Sequence, residues 1–280
     1  MEVQLTDSPE EYHRNNVRSI VDNLNTVEEC QELLESFGID PFDGDLPFLQ
    51  HFNIWRSNSA TTTPITTVRK LCLSPYMAHA ASILLDAPSI RLYQDSLFHK
   101  RVGDGWTPWH SDGRMSPFDT SKMISFWIPL QHVPLPEDGG TGLLFVDGSH
   151  SDFALPYWNG VEGKEYDRLE NRYGDEAVRH HMPLEVGSVT IHNGWTLHCA
   201  DSAEFYGEDV ADRFALSITY VDARAEVRED VVSPHTTADN KGDNEDAWSF
   251  RSWLREVEPR VQFRNAKVPI VWPMDQRDTP

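Results

Sequence analysis

Trp109-His110-Ser111-Asp112 sets an imidazole and a carboxylate two residues apart, and side chains at that spacing on a strand, or on its frayed end, point to the same side. His110 and Asp112 can therefore grip one metal ion. A third ligand has to come from elsewhere in the chain, and His198, at the end of Gly194-Trp195-Thr196-Leu197-His198, is the best candidate. Two neutral imidazoles and one carboxylate on one face of a metal leave three coordination positions open, which suits non-haem Fe(II) oxygen chemistry. Zinc catalysis more often leaves one. A single His-x-Asp carries little weight in a chain with twelve histidines. What raises it is the order of its surroundings: a tryptophan before the pair, a Gly-rich turn after the next strand, a distal histidine on a later strand, and a basic residue, Arg213, beyond that.

Arg213 opens a run in which Arg213, Ala215, Ser217 and Thr219 alternate with Phe214, Leu216, Ile218 and Tyr220. The alternation predicts a strand with one polar and one apolar face. If the polar face looks into a barrel, the guanidinium fork of Arg213 can hold a carboxylate while Ser217 adds a hydroxyl, as the far end of a dicarboxylate co-substrate requires. The bland alternative is a surface arginine paired with Asp212. Several neighbours read two ways. His192 lies shortly before His198 and reads as a supporting or core group rather than a ligand. His99, Lys100 and Arg101 form a basic cluster that either meets an anion or balances Asp95 and Asp104. Cys199 should point away from its neighbour His198, into the core. Trp106, Trp109, Trp158 and Trp195 divide between core and pocket lining.

The elements that must position these groups are mostly strands. Ile90 to Phe98, Met123 to Leu130, Gly142 to Val146, Val186 to His192 and Phe214 to Tyr220 are short apolar or alternating runs separated by Gly, Pro and Asp clusters. Upstream, Thr26 and Glu29 form a capping box before Val27, Cys30, Leu33, Leu34 and Phe37 at helical spacing, and a second helix opens at Ser74-Pro75. The expected fold is mainly β with flanking helices, a sandwich or jelly roll with helices packed outside it. One domain spans residues 1–280: helical support over 1–89, a β core over 90–221 and a C-terminal extension over 222–280 packing on that core. Ser151 to His181 reads as an insertion, either a lid or a surface excursion. Ala238 to Asp246 reads as a solvated acidic loop.

Composition narrows the partners. With 24 Lys+Arg against 45 Asp+Glu the formal charge is −21, so the summed field repels nucleic acid and anionic membranes. No apolar stretch approaches the roughly 20 residues of a membrane span, and the acidic N-terminus resembles neither a secretory signal nor a transit peptide. Three cysteines without motif spacing fit reduced thiols and a cytoplasmic location. Around the motif, with Asp112 committed to metal, Arg91, Lys100, Arg101, Arg114 and Lys122 outnumber Asp95, Asp104 and Asp119. The expected substrate is a small or medium organic metabolite with an apolar body, held by tryptophans, with one carboxylate or phosphate steered by Lys100 or Arg101.

In order, LYQDSLFHK, WTPWHSD, ISFWIPLQHV, EDGGTGLLFVDGSH, VGSVTIHNGWTLHCA and RFALSITYV resemble the successive blocks of the phytanoyl-CoA dioxygenase family of iron(II)- and 2-oxoglutarate-dependent oxygenases. The resemblance runs from Ile90 to Tyr220 and implies a double-stranded β-helix, the cupin-like jelly roll. It implies that His110, Asp112 and His198 hold Fe(II), that Arg213 anchors the far carboxylate of 2-oxoglutarate with Lys100 next in line, and that Trp127 walls the co-substrate. It also implies use of O2, with ascorbate as an in vitro reductant, and places His150 near the site. Retention of Asp112 implies oxygen insertion rather than halogenation. Many related oxygenases carry a serine where this chain has Ala215, which leaves Ser217 as the nearest hydroxyl. The rival reading is a jelly-roll metal protein that is no oxygenase: an isomerase, a metal-binding module or a degenerate regulatory copy.

Overall fold

The structure, a computed structural model, describes residues 8–23, 49–56, 63–101, 104–153, 173–174, 176–201, 212–229, 250–254 and 256–273. Helix α1 (Pro9–Asn23) precedes strand β1 (Leu49–Phe52), a 3₁₀ turn (Ile54–Arg56), and helices α2 (Thr63–Cys72) and α3 (Pro75–Leu84). The β region follows: β2 (Ile90–Lys100), β3 (Thr107–His110), a single helical turn α4 (Asp112–Met115), β4 (Phe118–Asp119), β5 (Met123–Pro129), β6 (Leu143–Val146), β7 (Val178–His180), β8 (Thr190–Asn193), β9 (His198–Ala200), β10 (Arg213–Asp222) and β11 (Glu226–Val227). A last helical turn, α5 (Arg251–Leu254), and β12 (Ile270–Trp272) complete the described chain.

Two antiparallel sheets make the jelly roll. The larger has the order β1-β2-β10-β5-β8, with β12 beside β1 on the free edge of β2; the smaller has the order β3-β9-β6-β7. The alternation in β10 explains how the larger sheet is sandwiched. Its apolar face, with Leu216, Ile218 and Tyr220, joins Leu97, Phe126 and Ile128 of the neighbouring strands and packs against Leu71, Cys72, Met77, Ala78 and Ala81 of α2 and α3. Its other face looks toward the smaller sheet, where Ala215 and Trp127 meet Leu143, Phe145 and Ala200. Helix α3 starts as its sequence predicts, with Pro75 in the first turn and the Ser74 hydroxyl accepting from the Met77 amide.

Asp95 is a buried carboxylate on the helix-covered face and accepts from the Ile54 and Trp55 amides at 3.0 Å each. It fixes the 3₁₀ turn to β2 rather than balancing the basic cluster, and burial pushes its carboxyl up to about 7. Arg91 is spent on the C-terminal region. Its guanidinium donates to the carbonyls of Val268, Ala223 and Phe263 and lies 4.3 Å from the Phe263 ring centroid. Trp253, Leu254, Val257 and Val268 share a buried cluster with Tyr93 and Val221, so this part of the C-terminal region packs on the β core.

Two boundaries differ from the sequence reading. The strand expected from Val186 begins only at Thr190, because the Ser188 amide donates to the Glu185 carbonyl and Gly187 takes φ 90°, a turn made by the Gly-Ser pair inside the expected strand. The end of the Ser151–His181 segment is not an excursion: β7 pairs with β6 as the edge of the smaller sheet. The helix expected from the Thr26 capping box, Trp158 and the Ala238–Asp246 loop lie outside the described residues. No helix among the described residues is long and apolar enough to cross a membrane.

Candidate active site

His110 ends β3 and His198 begins β9, and the two are register partners across that antiparallel pair. Cross-strand partners hold their Cβ atoms about 4.5–5.5 Å apart, and the two rings accordingly sit 4.2 Å centroid to centroid. Asp112 does not share a strand with His110, as the spacing suggested. The chain turns after His110, Ser111 occupies the cap position, and Asp112 is the first residue of α4. The turn is pinned by the Gly113 amide, which donates to the Gly194 carbonyl at 2.6 Å. Trp195 lies flat against the same spot: a Cβ on Gly113 would stand 2.7 Å from Cε2 of the indole, whose Nε1 donates to the Thr120 carbonyl.

The donor atoms converge. One ligand atom each from His110, Asp112 and His198 lie within 4.8 Å of one another. Nε2 of His110 and Nε2 of His198 stand 4.0 and 3.8 Å from Oδ1 of Asp112. Nδ1 of His110 lies 2.7 Å from the Pro108 carbonyl and Nδ1 of His198 lies 3.0 Å from the Thr196 carbonyl. A carbonyl only accepts, so both Nδ1 atoms carry the proton and both Nε2 lone pairs face Asp112, the tautomer that metal-binding histidines need. Burial, and then the neighbouring imidazoles of His110 and His192, push His198 well below the ordinary histidine range. Burial opposes the charge of Asp112, yet His198, His192 and His110 hold its carboxyl well below the usual carboxylate range. A neutral imidazole beside an ionised carboxylate is the protonation state a divalent cation takes. Ligand bonds of about 2.1 Å at a right angle would put donors about 3 Å apart, so each histidine would close on Asp112 by about 1 Å. The donor set fits an octahedral ion with one protein-bound face.

On the far side of Asp112 sequence reasoning singled out only His192, as a supporting or core group. Its Oδ2 accepts from Ser125 Oγ at 2.6 Å and lies 3.3 Å from Nε2 of His192, while Ser125 Oγ is 3.0 Å from Thr219 Oγ1. The only signal for Thr219 was its place in the polar face of β10; Ser125 had none beyond standing two residues before Trp127. Ser149 was also missed: its hydroxyl donates to the Val146 carbonyl and accepts from the Leu197 amide, bracing the residue before His198.

Lys100 and Arg213 are register partners on β2 and β10, both nearly fully buried and both on the inner face. Arg213 donates to the Thr141 carbonyl and lies 5.4 Å from the Trp127 ring centroid, and its Nε has no partner. Burial draws it down to about 10. Asp212, the bland partner for Arg213, instead holds His99 at 2.7 Å. The Lys100 ammonium donates to the carbonyls of Ala200 and Asp201, at 3.4 and 2.5 Å. Ala200 is two residues beyond His198 on β9, about 7 Å along the strand. Trp127, Phe145 and Ala215 are buried between the sheets there. Ser217 is on the same inner face, in register with Trp127.

The remaining candidates sort as follows. Arg101 pairs with Asp104 at 3.0 Å and Lys122 donates to the Asp86 carbonyl, so with Arg91 committed elsewhere the basic excess does not gather as a steering patch. Cys199 and Trp109 are core. His150 is exposed on the 3₁₀ turn Ser149–Asp152, and no contact to the triad is seen for it among the described residues. Trp106 is exposed, and Trp195 meets Phe153 edge to face at 5.3 Å.

Several solved structures share this architecture. The non-heme alpha ketoglutarate dependent epimerase SnoN from nogalamycin biosynthesis aligns over 92% of this chain and 89% of its own, at 19% identity and TM-score 0.58. The carbocyclase SnoK from the same biosynthesis aligns over 94% and 98%, also at 19% identity and TM-score 0.58. EctD from S. alaskensis, solved with 2-oxoglutarate and 5-hydroxyectoine, aligns over 81% and 73% at 12% identity and TM-score 0.52. Among curated proteins, none matches the chain significantly. The family model for phytanoyl-CoA dioxygenase (PhyH) matches residues 23–203, a stretch that holds His110, Asp112 and His198, and the chain belongs to that family.

Proposed function

We propose that the protein is an Fe(II)- and 2-oxoglutarate-dependent dioxygenase that hydroxylates or otherwise oxidises a small or medium organic metabolite, with release of succinate and CO2. The observation that carries this reading is the pairing of the His110, Asp112 and His198 donor cluster with two buried cations, Arg213 and Lys100, on the same inner face. A plain metal-binding module has no use for them. A dicarboxylate that meets the metal at one end and these cations at the other does, and the apolar floor of Trp127, Phe145 and Ala215 suits the methylenes between its charged ends. The iron would be held by Nε2 of His110, Oδ1 of Asp112 and Nε2 of His198, and when bound it supplies the activation of O2 that couples decarboxylation of 2-oxoglutarate to oxidation of the substrate.

The protein's own contribution is position. Pro108 and Thr196 carbonyls fix the two imidazole tautomers, and Arg213 and Lys100 fix the co-substrate's distal carboxylate with Ser217 as a further hydroxyl. Trp195, Phe153 and Trp106 offer aromatic surface to a substrate with an apolar body. SnoN and SnoK, which share this fold, are an epimerase and a carbocyclase; epimerisation leaves a substrate's oxidation level unchanged, and the outcome proposed here is oxidation. SnoN has been solved with Fe3+, alpha ketoglutarate and nogalamycin RO together, a precedent for an organic ligand beside iron and this co-substrate on the same fold.

Purified protein supplied with Fe(II), 2-oxoglutarate, ascorbate and O2 should release succinate in step with 2-oxoglutarate consumption, and candidate metabolites that stimulate release identify the substrate. Asp112→Ala should abolish release and weaken Fe(II) binding by more than the roughly 10–100-fold that loss of a ligand-orienting group causes. Wild-type Fe(II) affinity in that variant, or iron-loaded protein without succinate release, would overturn the reading.

A further inference from the structure

The two oxygens of Asp112 have different neighbours. Oδ1 faces the imidazoles of His110 and His198, whereas Oδ2 faces away from them, to Ser125 Oγ at 2.6 Å and His192 Nε2 at 3.3 Å. The hydroxyl contact has the length of a charge-assisted bond. A hydroxyl has one proton to give. With Asp112 ionised, Ser125 must donate to it, and so it accepts from Thr219, 3.0 Å away. Likewise His192 donates through Nε2, which leaves its Nδ1 buried without a partner.

That orphaned nitrogen is informative. Without the bond to Asp112, neither ring nitrogen of a buried histidine would be satisfied, an arrangement that packing against Phe145 does not require. The topology gives a reason for the convergence. His192 on β8 is the register partner of Ser125 on β5, and Ser125 sits two residues before Trp127, itself in register with Ser217, on the β10 face that also carries Thr219. Three adjacent strands thus lay His192, Ser125 and Thr219 in one row beneath the carboxylate.

We propose that this row holds Asp112 as a one-oxygen ligand, keeping its outer oxygen off the metal so that the position it would otherwise take stays open for 2-oxoglutarate and O2. The proposal rests on the triad assignment above. His192 and Ser125 are positioning residues that act through Asp112, and Thr219 acts through Ser125.

The test is anaerobic Fe(II) titration of metal-free protein, with apo-protein thermal melting as the folding control, followed by 2-oxoglutarate titration of the Fe(II)-loaded protein. His192→Phe keeps the ring volume and removes the donor; it should weaken Fe(II) binding by about 10–100-fold and weaken 2-oxoglutarate binding to the loaded protein. His192→Gln, whose amide can donate to the same oxygen, should recover most of both. Ser125→Ala should behave as His192→Phe does, Thr219→Val more mildly. The double variant His192→Phe, Ser125→Ala should lose less than the sum of the single losses, because both donors serve one atom.

Wild-type Fe(II) and 2-oxoglutarate affinities in folded His192→Phe and Ser125→Ala would overturn the proposal. So would a His192→Gln variant as impaired as His192→Phe, which would make His192 a ligand or a packing group. Asp112→Ala separates the two levels of argument. If it leaves Fe(II) affinity at the wild-type value, the metal reading itself fails; if it destroys binding while the row variants do not, only the positioning role fails.

Discussion

Replacing Arg213 by Ala removes a cation that has almost no solvent exposure. One nitrogen already donates to the Thr141 carbonyl, Nε is unpartnered, and the guanidinium sits by Trp127 next to a second buried cation, Lys100. Two buried like charges side by side have lost hydration and repel each other, and a carboxylate placed between them would offset both. A hydrogen bond to a charged group contributes about 1.5–3 kcal/mol, and each 1.4 kcal/mol is about tenfold. The half-saturating 2-oxoglutarate concentration should therefore rise by roughly 10- to 150-fold. The assay is succinate release against 2-oxoglutarate concentration at saturating Fe(II), checked by anaerobic binding of 2-oxoglutarate to the loaded protein. Fe(II) affinity should change little, since Arg213 makes no contact with the triad among the described residues. Thermal stability should hold or improve, because the variant also removes a buried charge that repels its neighbour. A folded Arg213→Ala protein with unchanged 2-oxoglutarate dependence would refute the reasoning and leave the distal carboxylate to Lys100 alone.

Lys100 should make co-substrate binding depend on pH. Burial first, and then repulsion from Arg213, draw its amine down to about 7; a bound carboxylate favours the protonated amine. Below pH 7 the charge is already present and binding is strongest, whereas above pH 7 binding must take up a proton, and the 2-oxoglutarate Kd should rise by up to about tenfold per unit. Lys100→Met should weaken binding and flatten that slope; an unchanged slope would assign the titration to another group. At Gly113, an added methyl would meet the Trp195 ring at 2.7 Å, and overpacking of this kind costs about 1–3 kcal/mol. Gly113→Ala should lower both Tm and Fe(II) affinity, because the turn that yields carries Asp112, and Trp195→Ala in the same chain should restore much of the Tm. No change in either quantity would mean that the turn and the indole separate freely.

The parts of this protein written in local pattern were legible without coordinates. The period-two alternation from Arg213 to Tyr220 marked the strand and its two faces but not which of them looks inward; Ser74-Pro75 marked a helix start; and His110, Asp112 and His198 stood out by residue type and order. The strand and the helix start depend on residues close together in the chain, where side-chain direction follows from backbone periodicity alone. The Val186 boundary failed because Gly187 and Ser188 were read into the strand and instead form a turn. What tertiary structure decided was which distant groups meet. Asp112 belongs to a helical turn and reaches the histidines only because β3 pairs with β9 and Gly113 is tied to Gly194. Of His99, Lys100 and Arg101, the middle residue faces inward beside Arg213 while its neighbours go to Asp212 and Asp104. The row under the outer oxygen of Asp112 exists because β8, β5 and β10 lie side by side, in that register. Strand order and register are set by non-local pairing and by the fit of the two sheets over a shared core, and no window along the chain contains that information.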